Sequence, residues 1–300
     1  MKLLTHYLHT RQQHGPKVIN WRENSINDSL FYSCRSTHYN TATYPSQLHY
    51  HDYYELVLFE EGDIRYICES QSYRPRYGDM ILIPPKTMHM SMLDAEETRY
   101  RRHVFYLYPD ALEPLNAQAL TAFLSRPGPP HYFTTLDSAS RDALFTLLPR
   151  LDEALRKKEL PEEMALSQGL LLQIFYLLNQ AALHPSPQEE YLPQNVKDIQ
   201  AYLDQHFAEI TSVAQVAAHF FYSREYISRL FQQYLHTTVG DYLIKRRIAH
   251  SQSLIAEGVP LLDACFQSGF KNVSTFIRAF RTVARMTPSQ YRAMLHAGEK

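Results

Sequence analysis

Four side chains between residues 49 and 89 have the types and the spacing of a metal or small-ligand site. They are His49, His51, Glu55 and His89. Neutral imidazole nitrogens and a carboxylate are donors that suit Fe, Mn, Ni or Zn. The chain contains 15 histidines, however, so the same residues could be structural groups at strand ends or could line a pocket for an organic ligand. Spacing alone leaves these three uses open.

A second set of residues, in the last third of the chain, suits contact with DNA. Residues 223–242 and 272–291 match at an offset of 49 residues, and in each segment apolar side chains at i, i+3, i+4 and i+7 predict one buried helix stripe. The opposite faces carry short polar groups and guanidiniums, which suit base edges and phosphates. These residues are Arg224, Glu225, Ser228, Arg229 and Gln232 in the first segment, and Val273, Ser274, Ile277, Arg278 and Arg281 in the second. The solvated face of an ordinary helical bundle more often carries Glu and Lys.

Charge is divided unevenly along the chain. The total is −1, but residues 196–300 carry +4 and the first 195 residues carry −5. The balanced total excludes a uniformly basic nucleic-acid coat, while the local positive charge favours a polyanionic partner for the last third. A hydrophobic fraction of 45% with 20% charged residues also excludes an intrinsically disordered chain.

The elements that must position these residues are of two kinds. Between Ser29 and Tyr108, short runs rich in Tyr, Val, Ile and Phe alternate with turn signals, which is typical of an antiparallel barrel or sandwich. Beyond residue 195 the pattern is helical. Short helices are predicted at Val213–His219 and Leu261–Gln267, each followed by a turn and one of the two longer DNA-facing helices. That order is a helix-turn-helix, whose second helix can enter the major groove.

The predicted fold class is therefore α+β with two domains. Residues 1–183 are expected to form a β-barrel with trailing helices. Leucines at helical spacing predict two of these helices, within about 137–183. The proline-rich segment 184–194 is predicted to be a linker, and residues 195–300 an all-helical domain with two helix-turn-helix units.

The C-terminal motifs resemble those of the AraC/XylS transcription regulators over about the last hundred residues. The matching stretches are Ser223–Phe231, Gly240–Ala249, Gly269–Phe270, Phe276–Phe280 and Thr287–Arg292. The resemblance implies two helix-turn-helix units held by a shared helix at about 241–256, entering successive major-groove segments on one face of DNA. It also implies the base-facing residues, which are Glu225, Ser228 and Arg229 in the first unit and Val273, Ser274, Thr275, Ile277 and Arg278 in the second.

The helix ends depart from this family pattern. His236 and Arg285 stand where the family usually has glycine, the residue that normally allows a left-handed helix stop. Ala264-Cys265 replaces a common Ile-Ala pair before the second turn. These departures concern helix-end geometry and packing, not the DNA-facing surfaces.

The N-terminal motifs resemble the two cupin motifs. In metal cupins, three His and one Glu bind a divalent ion, and the four side chains introduced above fall on those positions. Lys86 and Leu93 replace the usual glycine and asparagine of the second motif, and a lysine that faced the site would repel a cation. AraC-type sensors often carry such residues without a metal. We therefore expect a ligand pocket at the mouth of the barrel, with no bound metal or cofactor.

Together these features predict a transcription regulator, not an enzyme. We expect sequence-specific binding to promoter or operator DNA, controlled by a small-molecule effector in the barrel, with a sugar as the first guess. RNA polymerase and a second copy of the chain are the other expected partners. In the family, helices equivalent to those in 137–183 pair two subunits, although here they could instead pack on their own barrel.

Two alternatives to this function stay open on sequence alone. One is a metal-dependent cupin enzyme or a metal sensor fused to a DNA-binding domain, and the other is a regulator that binds no ligand. A cytoplasmic location is expected because residues 1–15 lack the apolar stretch of a secretory signal and no apolar run is long enough to span a membrane. Three cysteines without a CxxC pair fit reduced thiols.

Overall fold

A computed structural model describes residues 25–27, 29–41, 44, 47–125, 132–181, 183–185 and 191–296. Strands occupy the first part of the chain and helices the last, so the expected α+β class is confirmed. The expectation about a signal at residues 1–15 concerns a segment outside the described residues.

The strands form two antiparallel sheets. Their bounds are β1 Ser25–Asn27, β2 Leu30–Asn40, β3 Tyr54–Glu61, β4 Ile64–Cys68, β5 Gln71–Tyr73, β6 Asp79–Ile83, β7 His89–Leu93, β8 Glu97–Leu107, β9 Phe133–Leu136 and β10 Leu183–Pro185. One sheet has the order β1-β2-β8-β3-β6-β9-β10, and the smaller sheet has the order β5-β4-β7. The sequences Glu-Gly-Asp at 61–63 and Tyr-Gly-Asp at 77–79 are turn signals, and they lie where β3 gives way to β4 and where the chain enters β6.

The two sheets face each other across an aromatic core. Val57 and Phe59 of β3 pack there with Tyr66 of β4 and Tyr100 of β8. The hydroxyls of Tyr66 and Tyr100 are hydrogen-bonded to each other, so these buried polar groups are satisfied. Because successive side chains of a strand point to opposite faces, the large sheet presents a second apolar surface on its outer side.

Two helices cover that outer surface. They are α1, Ser138–Arg156, and α2, Pro161–Gln180, and they follow two short 3-10 helices at Glu113–Leu115 and Gln118–Ser125. Most of the leucines that predicted α1 and α2 pack within the same chain, in the core that these helices share with the sheet. They are Leu144, Leu148, Leu151, Leu170, Leu171 and Leu178.

The predicted linker begins as a strand. Leu183 to Pro185 pair with Leu136 to Thr134 of β9, so residues 184 and 185 belong to the edge of the large sheet. Residues 186–190 lie outside the described part of the chain, and the next helix begins at Gln194. The division of the chain at this segment stays a prediction.

The C-terminal region, from residue 194 to residue 296, is helical. Its helices are α3 Gln194–His206, α4 Val213–His219, α5 Arg224–Leu235, α6 Val239–Ala256, α7 Leu261–Gln267, α8 Val273–Ala284 and α9 Pro288–His296. Helices α4 and α7 have the predicted bounds, and α6 is the shared helix between the two helix-turn-helix units. Among the described residues, no helix combines the length and the low charge that a membrane span requires.

The repeated residues of the two units cap their helices. Thr238 accepts a hydrogen bond from the backbone N–H of Asp241 at the start of α6, and Thr287 accepts one from the N–H of Gln290 at the start of α9. His236 and Arg285 end α5 and α8 with φ values of 49° and 59°. The left-handed helix stop is therefore kept at both positions without glycine.

The C-terminal helices pack on the outer face of the small sheet. Ile67, Met88 and Met90 of the barrel belong to the same apolar cluster as Val196 and Ile199 of α3. The register of the sheet explains which residues take part, because Met90 pairs with Ile67 whereas the adjacent His89 pairs with Cys68, which lies in the barrel interior. The two faces of β7 thus contact two different parts of the chain.

Candidate DNA interface and effector site

The two helices predicted to face DNA begin with side-chain caps. Ser223 Oγ accepts a hydrogen bond from the N–H of Tyr226, and Asn272 Oδ1 accepts one from the N–H of Thr275. Each cap satisfies a backbone donor that the first turn of a helix leaves free. The start of each helix, where side chains of a helix-turn-helix usually meet base edges, is therefore well defined.

All eleven residues predicted to contact DNA are exposed. They are Arg224, Glu225, Ser228, Arg229 and Gln232 on α5, and Val273, Ser274, Thr275, Ile277, Arg278 and Arg281 on α8. The apolar stripes face the other way, since Ile227 and Phe231 of α5 and Phe276 and Phe280 of α8 are buried. The predicted orientation of both helices is therefore the observed one.

A contact with Tyr226, which the sequence did not predict, positions the side chain of Arg229. Its guanidinium carbon lies 5.4 Å from the centre of the Tyr226 ring, within the range of a cation–π contact. The Tyr226 hydroxyl accepts a hydrogen bond from the side-chain amide of Asn195 at 2.9 Å. Asn195 lies at the start of α3, and no local pattern could have linked it to a residue on α5.

Three basic residues of the C-terminal region face the interior of the molecule. Lys245 donates to the carbonyl of Leu48 at 2.6 Å, and Arg247 donates to the carbonyls of Phe207 and Ile210 at 2.8 and 2.5 Å. Arg246 is paired with two carboxylates, described below. The positive charge counted from the sequence is therefore only partly available to DNA.

His51, Glu55 and His89 converge at one end of the barrel interior. Their ligand atoms all lie within 4.8 Å of one another. Glu55 Oε2 is 3.0 Å from His51 Nε2 and 3.6 Å from His89 Nε2. His49 adjoins this cluster through ring contact, with its centroid 4.2 Å from that of His89, but it does not belong to the converging group.

The hydrogen bonds of the Nδ1 atoms fix the tautomers of His51 and His89. His51 Nδ1 lies 2.7 Å from the carbonyl of Tyr53, and His89 Nδ1 lies 2.9 Å from the carbonyl of Thr87. A carbonyl oxygen only accepts, so both Nδ1 atoms carry the proton and donate it. Burial lowers the pKa of His51 to about 4, so this imidazole is neutral at pH 7.

Lys86 points away from the cluster. Its ammonium donates to the hydroxyl of Ser253 on α6 at 2.8 Å. Its backbone has φ +65°, the left-handed conformation for which the usual glycine of the motif would be suited. The expected charge repulsion at the cluster would arise only if the lysine faced it, and it does not.

The segment that carries His51 also contacts α6. The Tyr50 hydroxyl donates to Gln252 Oε1 at 2.8 Å, and Gln252 Nε2 donates to Asp52 Oδ2 at 2.9 Å. Burial raises the pKa of Asp52 to about 6, although Lys86 acts in the opposite direction. A cavity of about 20 Å³ remains beside these groups, room for about one water molecule. The contact between barrel and helices is therefore nearly closed.

An ion-pair cluster also joins α6 to the barrel, at the turn between β4 and β5. Arg246 of α6 pairs with both carboxylate oxygens of Glu69, which lies in the turn between β4 and β5. It also donates to Asp204 of α3, with 2.6 Å between Nε and Oδ1. Glu69 in turn accepts from the backbone N–H of Met88 at 2.8 Å. One carboxylate thus joins α6 to the residue before His89.

Comparison with known proteins agrees with this arrangement. Residues 32–175 match the model of the AraC-like ligand binding domain, and residues 216–294 match that of a helix-turn-helix domain. The chain is 33% identical to the regulatory protein SoxS of Escherichia coli K12 over 101 residues, which cover 33% of this chain and 94% of SoxS.

Two longer relatives match most of the chain. The HTH-type transcriptional regulator YbfI of Bacillus subtilis is 26% identical over 75% of this chain and 79% of its own length. The HTH-type transcriptional activator RhaR of Shigella flexneri is 24% identical over 89% of this chain and 95% of its own length. Domains and relatives alike indicate regulators of transcription that bind DNA, not enzymes. The chain belongs to the AraC family of transcriptional regulators, with an effector-binding cupin-like domain ahead of its helix-turn-helix region.

Proposed function

We propose that this regulator binds a specific DNA sequence through the exposed faces of α5 and α8, and that a ligand at the His51–Glu55–His89 cluster controls this binding. The observation that carries the DNA part is the pair of capped helices with apolar stripes inward and all eleven predicted contact residues outward. Two copies of the same unit joined by α6 would place two such faces on one molecule.

The contact between barrel and α6 supports the regulatory part of the proposal. The residues on either side of His51 bond to Gln252, and Lys86, three residues before His89, bonds to Ser253. A ligand that moved these histidines would therefore act on α6 without an intervening element. It would regulate DNA binding only if its affinity differed between two arrangements of the contact.

We also propose that the chain acts as a dimer through the outer face of α2. Leu166 and Tyr176 are exposed on that face, and a groove of about 460 Å³ beside it is lined by Leu120, Leu172, Gln173, Tyr176 and Leu177. Two copies would double the contacts with DNA. Sedimentation of Tyr176→Glu should then show monomer, whereas Arg150→Glu, an exposed change on α1, should stay dimeric.

RNA polymerase and a cytoplasmic location complete the proposal. Both are inferred from the regulatory role and from the bacterial sources of the relatives named above, because a bacterial regulator of transcription acts where the polymerase meets promoter DNA. The test for the polymerase is co-retention of the purified enzyme with the regulator on the same duplex.

The DNA part is tested by selection from a random duplex library, followed by titration of the selected duplex. Arg229→Ala or Arg278→Ala should weaken specific binding by about 1–3 kcal/mol, because arginine can make two hydrogen bonds to guanine or a strong phosphate contact. Arg150→Ala, an exposed change on α1, serves as the control. Unchanged affinity in both variants, with unchanged melting curves, would contradict the assigned DNA-facing surfaces.

A further inference from the structure

We propose that the ligand which controls this regulator is a small organic acid whose carboxylate is bound by Arg102 inside the barrel. The inference rests on the proposed function, because it names the class of ligand that controls DNA binding. It adds a second anchoring point, in the same barrel, to the cluster of His51, Glu55 and His89. The reason to propose an anion is a guanidinium in the barrel interior that has no counter-charge among the described residues.

Arg102 is directed into the barrel by the alternation of side chains along β8. Tyr100 and Val104, on the same face of the strand, belong to the aromatic core between the two sheets. Phe105, on the opposite face, belongs to the core that α1 and α2 share with the large sheet. The guanidinium carbon of Arg102 lies 4.0 Å from the centre of the Tyr100 ring, which is a cation–π contact. This contact uses none of the five N–H donors of the arginine.

The charge of Arg102 is not balanced within the described part of the chain. Its Nη1 is buried without a hydrogen-bond partner, and no described carboxylate forms an ion pair with it. Glu55, the carboxylate of the barrel interior, is held by His51 at 3.0 Å. Glu55 pairs in register with Tyr106, which is roughly 13 Å along the strand from Arg102. Arginine stays charged in proteins and a buried charge without a partner is costly, so the site calls for an anion.

The hydroxyl groups around this guanidinium are donors as well. The hydroxyls of Tyr66 and Tyr100 are hydrogen-bonded to each other, and the hydroxyl of Tyr44 lies 2.6 Å from Ser91 Oγ. The ring of Tyr44 lies 6.3 Å from that of Tyr100, so the two pairs are neighbours. Each pair needs only one proton for its own bond, which leaves one O–H in each pair to donate to a ligand. Burial raises the pKa of all three tyrosines, so none of them is a phenolate that could balance Arg102.

The single unbalanced charge indicates the class of anion. A carboxylate carries one negative charge and can accept two parallel hydrogen bonds from one guanidinium. A phosphate monoester carries about −1.5 to −2 charges at pH 7, more than Arg102 alone can balance. A neutral sugar, the first guess from sequence, would leave the charge unbalanced. The side chain of Arg102 is only half-buried, so a ligand can reach it while the barrel stays folded.

The site is connected to the C-terminal helices through β7. Ser91 pairs in register with Tyr66 and bonds to Tyr44, while its neighbours Met90 and Met92 pack against the apolar cluster of the C-terminal helices. A carboxylate that accepts a hydrogen bond from the Tyr44–Ser91 pair therefore acts on a strand whose other face carries those helices. It changes DNA binding to the extent that it binds one arrangement of this contact better than the other.

The test uses the full chain at constant ionic strength, because affinity for DNA depends on salt. Acetate, lactate, pyruvate and benzoate are titrated separately, and each is compared with its own amide, which has nearly the same shape without the charge. Inorganic phosphate and glucose are the remaining probes. We expect at least one of the four carboxylates to raise the melting temperature and to change the affinity for the selected duplex at least tenfold. Its amide, phosphate and glucose should do neither.

Arg102→Met tests the residue, because it keeps an unbranched side chain beside the Tyr100 ring and removes the charge. It should weaken binding of the carboxylate at least tenfold and abolish the change in DNA affinity. Without ligand, its melting temperature should equal or exceed that of the wild type, since an unbalanced interior charge is removed. Arg99→Met is the matched control on the same strand, because Arg99 pairs with Glu61 at the surface, and it should keep both responses.

The outcomes separate this inference from the proposed function. The carboxylate ligand is wrong if none of the four acids stabilises the wild-type chain, if acid and amide act alike, if only phosphate or glucose acts, or if DNA affinity does not change. It is also wrong if Arg102→Met responds as the wild type does. In all these cases the proposed DNA binding stands, whereas failure to select any duplex would contradict the DNA binding itself. If Arg102→Met does not fold, the comparison of each acid with its amide on the wild-type chain still decides.

Discussion

Replacing Glu69 by glutamine should loosen the C-terminal helices from the barrel. The substitution keeps an oxygen that can accept from the N–H of Met88, as Glu69 Oε1 does at 2.8 Å. It replaces the other oxygen, the partner of Arg246 Nη2, by an amide nitrogen that can only donate. Arg246 retains Asp204, so its charge is not left without a partner.

The size of the effect follows from the exposure of the pair. Hydrogen bonds to charged groups contribute about 1.5–3 kcal/mol, but the side chains of Arg246 and Glu69 are 15% and 23% exposed, and solvent weakens the pair. We therefore expect a loss of about 1–2 kcal/mol from the contact. At about 1.4 kcal/mol for each factor of ten, the open arrangement becomes roughly 5–30 times more populated.

Hydrogen exchange measured by mass spectrometry tests this estimate. Peptides covering 64–73 and 86–93, from the sheet that the helices cover, should exchange faster by that factor in Glu69→Gln, whereas peptide 54–61 of the large sheet should not change. Glu61→Gln is the matched control, because the side chain of Glu61 pairs with Arg99 at the exposed surface of the barrel. Equal exchange in wild type and Glu69→Gln, or a uniform increase in all peptides, would refute the role given to this carboxylate.

Three further predictions concern stability. Phe231→Ala or Phe280→Ala should lower the free energy of unfolding by about 3–5 kcal/mol, because both side chains are fully buried. The control Phe221→Ala should have no such effect, because Phe221 is 95% exposed. Unchanged denaturation midpoints for both buried residues would mean that the helix orientations are wrong. Gly269→Ala should lower the free energy of unfolding by about 2–4 kcal/mol, because φ is +82° there and a Cβ would lie 2.5 Å from Ala208. Phe221 also has a positive φ, +56°, so Phe221→Gly should be neutral or stabilising by up to about 1 kcal/mol. Melting temperatures that fall equally in the two variants would contradict this. Burial, aided by Arg101, lowers the pKa of His103 to about 4. In the unfolded chain the pKa of a histidine is about 6.5, so as the pH falls the unfolded chain binds a proton before the folded chain does. The free energy of unfolding should therefore fall by up to about 2 kcal/mol between pH 7 and pH 5. Urea titrations should show a smaller fall in His103→Gln, and an equal fall would argue against neutral His103.

The helix-turn-helix units were predictable from local sequence because local groups set their limits. Helix α4 begins after the cap Ser212, and helix α7 ends where Gly269 takes a left-handed conformation. The exposed faces followed from helical periodicity alone. The capping roles of Thr238 and Thr287 also agree with their matching places in the two units.

The contact between barrel and helices could not be predicted in this way. Glu69 and Arg246 are 177 residues apart, and nothing in the pattern around either one indicates the other. The direction of Lys86 depends on a left-handed backbone and on the position of α6, so sequence could only pose the question of whether it faced the cluster. The convergence of three of the four candidate ligands likewise depends on how β3 and β7 approach each other in space.

The alternation along β7 limits how this regulator could be recombined with its relatives. A foreign barrel joined to these helices would bring its own ligand-facing residues on one side of the strand, but it would also need side chains equivalent to Met88 and Met90 on the other. A chimera that takes both β7 and α3 from the same protein keeps this packing and should respond to ligand. A chimera joined between the barrel and α3 takes them from different proteins, so it should bind DNA without responding to ligand.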